Sequence, residues 1–207
     1  MRVIRVEANR NDNGNAQAAA PTPMRLLIAS QSAALFGSGL VFPFYLIFIK
    51  EIGAGFTEYA LAYGLFTICS SLLHTRLGAW SDRCGRKALL LWSGWGMAAL
   101  FLLFPLVTWI GQVYVLQVLM GLFGAMQKTG EKALIADLTD RAGQQEGGGS
   151  RGRTIGRYHG YVGLFSGLAV IAGGFLIDLF TIDLIFYIGS LWMFVSGLLL
   201  LRMREPR

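Results

Sequence analysis

The sequence has little charge, few cysteines and almost no histidine. Only 14% of its 207 residues are Asp, Glu, Lys or Arg, while 54% are hydrophobic, a balance that excludes a soluble domain and fits helices packed in lipid. Its two cysteines, Cys69 inside an apolar run and Cys84 in a charged one, exclude a disulfide framework. Its two histidines and those thiols lack metal-ligand spacing. The glycine run at 147–149 is not followed by the lysine and hydroxyl of a phosphate cradle, and no nucleophile has a plausible base partner. The chain is therefore read as a non-enzyme with no cofactor and no metal.

What is abundant is long apolar sequence. A bilayer core of about 30 Å needs roughly 20 apolar residues per helix. Six runs meet that length: 26–49, 57–76, 88–110, 113–136, 158–177 and 182–201. The expected fold class is all-α, a polytopic membrane protein of six transmembrane helices within residues 25–207. Residues 1–24, rich in Asn and Ala, are expected to form a disordered tail. A cleaved signal peptide is not expected, because the first apolar run starts late and is too long for a signal core.

Lys and Arg near span ends are retained on the cytoplasmic side. Of the 18 basic residues, 15 fall in one alternating set of segments. These are the tail (Arg2, Arg5, Arg10, Arg25), the second connection (Arg76, Arg83, Arg86, Lys87), the fourth (Arg141, Arg151, Arg153, Arg157) and the end (Arg202, Arg204, Arg207). The opposite set holds only Lys50. Both termini are expected in the cytoplasm, in a multi-pass protein of the cell (inner) membrane. The net charge of +6 is explained by this asymmetry and needs no nucleic-acid partner; the partner it implies is the lipid bilayer. The fourth connection, 138–156, is expected to be the longest and most mobile loop. The turn between the fifth and sixth spans is so short that those helices are expected to be antiparallel neighbours.

Residues 77–89 read LGAWSDRCGRKAL. Here Gly78, Asp82, Arg83, Gly85, Arg86 and Lys87 resemble the loop signature of the major facilitator superfamily of membrane transporters, which runs close to GxxxDRxGRK. A weaker likeness covers GAMQKTGEKALIAD at 124–137 and RGRTIG at 151–156, which look like the family's fourth helix and the loop entering its fifth. The resemblance runs from Leu26 to the end and corresponds to the N-terminal six-helix half of such a transporter. Two features depart from it. Gln117 stands ahead of Gly121 where the family's fourth helix usually carries arginine, and the fifth helix has Gly163, Gly167, Gly173 and Gly174 without the proline of the antiporter motif.

The resemblance implies that Asp82 contacts a helix N-terminus of an opposite half and, with Arg83, Arg86 and Lys87, holds a cytoplasmic gate closed. The plainer alternative is that the basic residues set topology and Asp82 caps the third helix. Full members carry two six-helix units related by an axis along the membrane normal, and no internal repeat of the unit is present here. A second copy with the same orientation supplies that geometry. The expected arrangement is a homodimer with Asp82 facing residues 155–158 of its partner, transporting a small solute by alternating access. A separate polypeptide supplying the second half, or a non-transporting scaffold subunit of a larger complex, are the alternatives.

Ionisable groups facing lipid are costly, so a substrate path is sought as polar residues on one helical face. On the fourth span Gln117, Gly121, Gly124, Lys128 and Glu131 form one stripe, with Lys132 beside it and an expected ion pair between Lys128 and Glu131. That pair either lines an aqueous cavity or locks the helix to its neighbours. Weaker stripes are Gln31, Ser38 and Tyr45 on the first span, Tyr63, Thr67, Ser71 and His74 on the second, and His159, Gly163 and Ser166 on the fifth. Their hydroxyls are equally suited to bonding their own helix. Trp92, Trp95, Trp109 and Trp192 read as lipid-facing or belt residues.

Overall fold

A computed structural model describes residues 23–146 and 151–203, except for the side chains of 141–146 and 151. The chain forms α1 (Pro23–Val41), a 3-10 turn (Phe42–Phe44), α2 (Tyr45–Glu51), α3 (Phe56–Cys84), α4 (Arg86–Leu103), a second 3-10 turn (Phe104–Leu106), α5 (Ile110–Glu146), α6 (Arg151–Leu179) and α7 (Asp183–Leu201). Pro43 and Pro105 sit in the two 3-10 turns; each lacks the amide that would continue an α-helix. The first turn bends the first span between α1 and α2. The described residues thus hold 6 helical segments long and apolar enough to cross a membrane, and they contain no strand. This is the all-α, multi-pass fold expected from the apolar runs.

Several helices run past their expected ends. Pro23 and Met24, assigned above to the tail, open α1, since proline's fixed φ suits a first helical turn; the rest of the expected tail lies outside the described residues. The expected loop at 138–156 is helical wherever it is described. Leu138 and Thr139 are buried, which anchors α5 beyond its apolar stretch. The charged signature is not a loop either. α3 continues to Cys84, the single residue Gly85 turns the chain at φ +91°, and α4 starts at Arg86. The Gly85 amide donates to the Ser81 carbonyl at 3.0 Å, and only glycine holds such a φ without strain.

The lateral order of the helices is α6, α1, α7, α4, α5, α3. Small residues set these contacts. A Cβ on Gly37 of α1 would stand 2.7 Å from the Gly189 carbonyl of α7, and one on Gly121 of α5 would stand 2.7 Å from the Phe66 carbonyl of α3. Backbones approach this closely where small residues line a membrane helix interface. Serines add bonds across the same seams: Ser30 donates to the Ser196 carbonyl at 3.0 Å, and Ser190 to the Ala98 carbonyl at 2.8 Å. At the end opposite the signature, Phe104 stacks on Phe186 at 4.9 Å, with Phe48 edge-on to both.

The expected adjacency of the last two spans is corrected by this order. α6 and α7 meet only slightly, because α7 inserts between α1 and α4 while α6 lies against α1. A short turn fixes where two helices are joined, not which faces they bury. One tryptophan also departs from the lipid-facing or belt reading. Trp95 packs on Phe194 at 6.2 Å with its indole nitrogen buried, whereas Trp92 and Trp109 are more than half exposed and Trp192, packed on Phe36 at 4.8 Å, is half-buried.

The two outermost helices, α3 and α6, are incompletely covered. In their most apolar windows only 11% and 17% of residues are buried, against 44% to 61% in the other spans. Both carry glycines that meet nothing: a Cβ on Gly64 or Gly78 of α3, or on Gly156, Gly160, Gly163 or Gly167 of α6, would have open space for 4 Å. The α6 glycines recur at steps of four, three and four residues, one stripe of the helix.

Candidate functional site

The signature residues work as staples at the basic end of the bundle. Arg86 pairs with the Asp137 carboxylate of α5 and donates to the Ala133 carbonyl at 2.9 Å. Lys87 reaches the end of α7, donating to the carbonyls of Leu201 at 3.1 Å and Met203 at 2.6 Å. A helix C-terminus leaves carbonyls unpaired and partly negative, so a lysine there gains from both. Asp82 is left outside these bonds. Its side chain is 73% exposed and, among the described residues, pairs only with Arg86, at 4.0 Å. It does not cap α4, whose N-cap is Gly85 with no side-chain bond. Arg83 is exposed, and Gly78 presents its open face on the same helix. Of the three basic residues expected around Asp82, Lys87 is committed to α7 and Arg86 to α5, while Asp137 is a partner the sequence pattern did not reveal.

A cavity of about 550 Å³ lies between α5 and α6. Lys128, Glu131, Lys132 and His159 line it, so the structure brings two lysines, a carboxylate and an imidazole together. The expected ion pair within α5 is corrected: among the described residues no contact within 4.0 Å joins Lys128 to Glu131. Glu131 instead accepts a 2.6 Å hydrogen bond from the Tyr158 hydroxyl of α6. Tyr158 is fully buried among Leu26, Leu134 and Val162, so its ring fixes where the carboxylate points. His159 packs edge-on to that ring at 5.1 Å. Tyr158 was missed as a site residue because a tyrosine near a span end reads equally well as an interface anchor.

Deeper on the same side, Gln127 donates to the Gln31 side-chain oxygen at 3.4 Å, joining α5 to α1. Toward the opposite end the Gln117 side-chain oxygen and the Tyr45 hydroxyl are buried near each other, each without a hydrogen-bond partner among the described residues. Buried polar atoms normally find partners, and these two groups stand close enough to serve each other.

The remaining candidates are not gathered there. Ser38 donates to its own helix at Ala34 and Thr67 to its own at Tyr63, as isolated hydroxyls in apolar helices do. Tyr63 is 52% exposed and stacks on Tyr59 and Phe66 along α3. His74 bonds Thr129 across the α3–α5 seam at 3.0 Å, and Ser166 lies against Gly39 in the α1–α6 seam.

Sequence comparisons agree with this architecture. A model of the Major Facilitator Superfamily matches residues 27–207. An uncharacterized MFS-type transporter, YitZ, of Bacillus subtilis (strain 168) is 46% identical over 167 residues, covering 81% of this chain and 98% of the relative. Multidrug resistance protein MdtG of Salmonella arizonae (strain ATCC BAA-731 / CDC346-86 / RSK2980) is 30% identical over 77% of this chain, and that of Proteus mirabilis (strain HI4320) 28%. The chain spans only 39% of the length of these two.

Proposed function

The chain belongs to the major facilitator superfamily, and from that premise we propose that it is half of a transporter, completed by a second copy and moving a small solute by alternating access. The observation that carries this reading is the bare state of α3 and α6. A helix glycine costs about 1 kcal/mol relative to alanine unless it admits a close neighbour, and the four glycines of the α6 stripe, like Gly152 ahead of them, have none within the bundle. Two like-oriented copies related by an axis along the membrane normal cover each α3 with the other's α6, the geometry of a parallel repeat. The match to the Bacillus relative supports the same unit, since it extends over 98% of that protein. The basic end faces the cytoplasm of the cell (inner) membrane with both termini, by the positive-inside rule.

In the dimer, exposed Asp82 meets the basic-end N-terminal turn of the partner's α6. Its counterpart is the open side at Gly152 and Gly156 rather than Tyr158, which is buried within its own subunit. A carboxylate there gains from unpaired amides and from the helix dipole. Closing and opening that contact gates the cavity holding Lys128, Glu131 and His159, and Gln117 with Tyr45 forms the opposite polar layer. The chemistry is transport rather than catalysis.

The test is a Cys69→Ala/Cys84→Ala protein carrying Asp82→Cys and Gly156→Cys in native membranes. Oxidation is expected to give crosslinked dimer, and each single-cysteine control to give less. Monomer alone, where a control pair across the α3–α5 seam still links, overturns the pairing.

A further inference from the structure

On the back of α1, α6 and α7 leave a groove of about 470 Å³. Its floor is Ala29 and Ser32; Ala29 sits about 160° around the helix from Gln31, which bonds α5, and Ser32 about 100°. Phe165 of α6 and Trp192 and Leu199 of α7 form apolar walls. Two arginines, Arg25 of α1 and Arg157 of α6, stand at its basic-end mouth. Both are exposed, and among the described residues neither meets a carboxylate within 4.0 Å.

The floor holds a second unmet group. Ser32 is only 5% exposed, and its hydroxyl has no hydrogen-bond partner among the described residues. Ser38 on the same helix is satisfied by its own backbone; Ser32 is not, and it lies in the groove. The register of α1 against α6, fixed where Gly39 meets Ser166 and Ala169, sets Arg157 about 5 Å nearer the basic end than Ser32. Arg25, seven residues before Ser32, stands about 10 Å nearer that end, and Leu199 is level with the arginines, since α7 runs antiparallel to α1 with Ser196 beside Ser30. Cationic groups at the mouth, a serine deeper and the apolar side chains of Phe165 and Trp192 beyond match the order of a phosphate, an ester and an alkyl chain. Guanidinium binds phosphate oxygens in a bidentate fork, while a free anion would leave the apolar walls unused.

We propose that this groove binds one anionic glycerophospholipid. Its phosphodiester sits on Arg25 and Arg157 beside Leu199, its ester lies against Ser32, and one acyl chain runs along Phe165 and Trp192. The site is independent of the transport cavity and of dimer pairing, and it ties α6 to the rest of the subunit from the lipid side.

Native mass spectrometry of the detergent-purified full chain tests this, with phosphatidylglycerol and phosphatidylcholine of the same acyl chains added in separate arms and glycerol phosphate in a third. Phosphatidylglycerol is expected to be retained in preference to phosphatidylcholine by roughly fivefold per arginine, about 25-fold for the pair. The preference is expected to vanish in Arg25→Ala/Arg157→Ala and to survive in Arg25→Lys/Arg157→Lys. Ala29→Phe, which fills the floor and leaves both arginines, is expected to remove bound phosphatidylglycerol. Equal retention of the two lipids by the unaltered protein overturns the proposal, as does an undiminished preference without the arginines. Undiminished binding to Ala29→Phe overturns the placement, and retention of glycerol phosphate as strong as that of phosphatidylglycerol marks a free-anion site instead.

Discussion

Replacing Arg86 by alanine tests whether the signature is a structural staple or only topogenic charge. Arg86 makes an ion pair with Asp137 and a bond to the Ala133 carbonyl, with 29% and 34% of the two charged side chains exposed. Hydrogen bonds to charged groups contribute about 1.5–3 kcal/mol each when closed off from water. Partial wetting of both partners, and the helix bond the Ala133 carbonyl already accepts, reduce the sum to about 2 kcal/mol. For a chain of this size that corresponds to a fall of about 4–8 °C in the unfolding midpoint, read by tryptophan fluorescence in detergent. Asp137→Asn is expected to lose about half as much, and a double-mutant cycle to return about 1 kcal/mol of coupling. Asp82→Asn, 4.0 Å from Arg86 and 73% exposed, is expected to change the midpoint by less than about 1 °C. An Arg86→Ala midpoint within about 1 °C of the parent, or strict additivity with Asp137→Asn, refutes the reasoning.

Tyr158→Phe removes the 2.6 Å bond to Glu131 while keeping the buried ring; a loss of about 1–2 kcal/mol is expected in the same unfolding assay, and no loss detaches the carboxylate from α6. Gly85→Ala forces a side chain onto a φ of +91° and is expected to cost about 1–2 kcal/mol, whereas Gly78→Ala, with open space around it, is expected to be neutral or stabilising by up to about 1 kcal/mol. Gly37→Val drives a side chain into the Gly189 backbone and is expected to abolish monodisperse protein in size-exclusion chromatography. Gly160→Val, on the bare stripe of α6, is expected to leave the subunit folded and to lower the yield of the Asp82–Gly156 cysteine crosslink.

The spans and the signature were legible because both are local patterns. An apolar run of bilayer length announces itself residue by residue, and the acidic-basic segment at 78–87 is contiguous. What joins one span to another was not legible. Asp137 lies some fifty residues beyond Arg86, and nothing in either local sequence couples them; the pair exists because Gly130 lets α5 settle against the start of α4. Lys128 and Glu131 have the spacing of a helix ion pair, yet burial of Tyr158 offers the carboxylate a better-placed donor. Chain order misled most over α6 and α7, joined by a tight turn and separated laterally by α1. The glycine stripe at 156, 160, 163 and 167 carried a usable signal in its spacing, but only the emptiness around it distinguishes an outward face from an inward one.

The lateral order of the helices has a consequence for biogenesis. α1 is made before the other helices of this bundle, yet finds its two principal neighbours in α6 and α7, made after α3, α4 and α5. When four spans have left the ribosome, α3, α4 and α5 can already associate, while the Ser30 hydroxyl and the Gly37 seam of α1 still await the residues that satisfy them. α1 therefore waits for its partners through three intervening spans, and the bundle closes only when α6 and α7 arrive on either side of it.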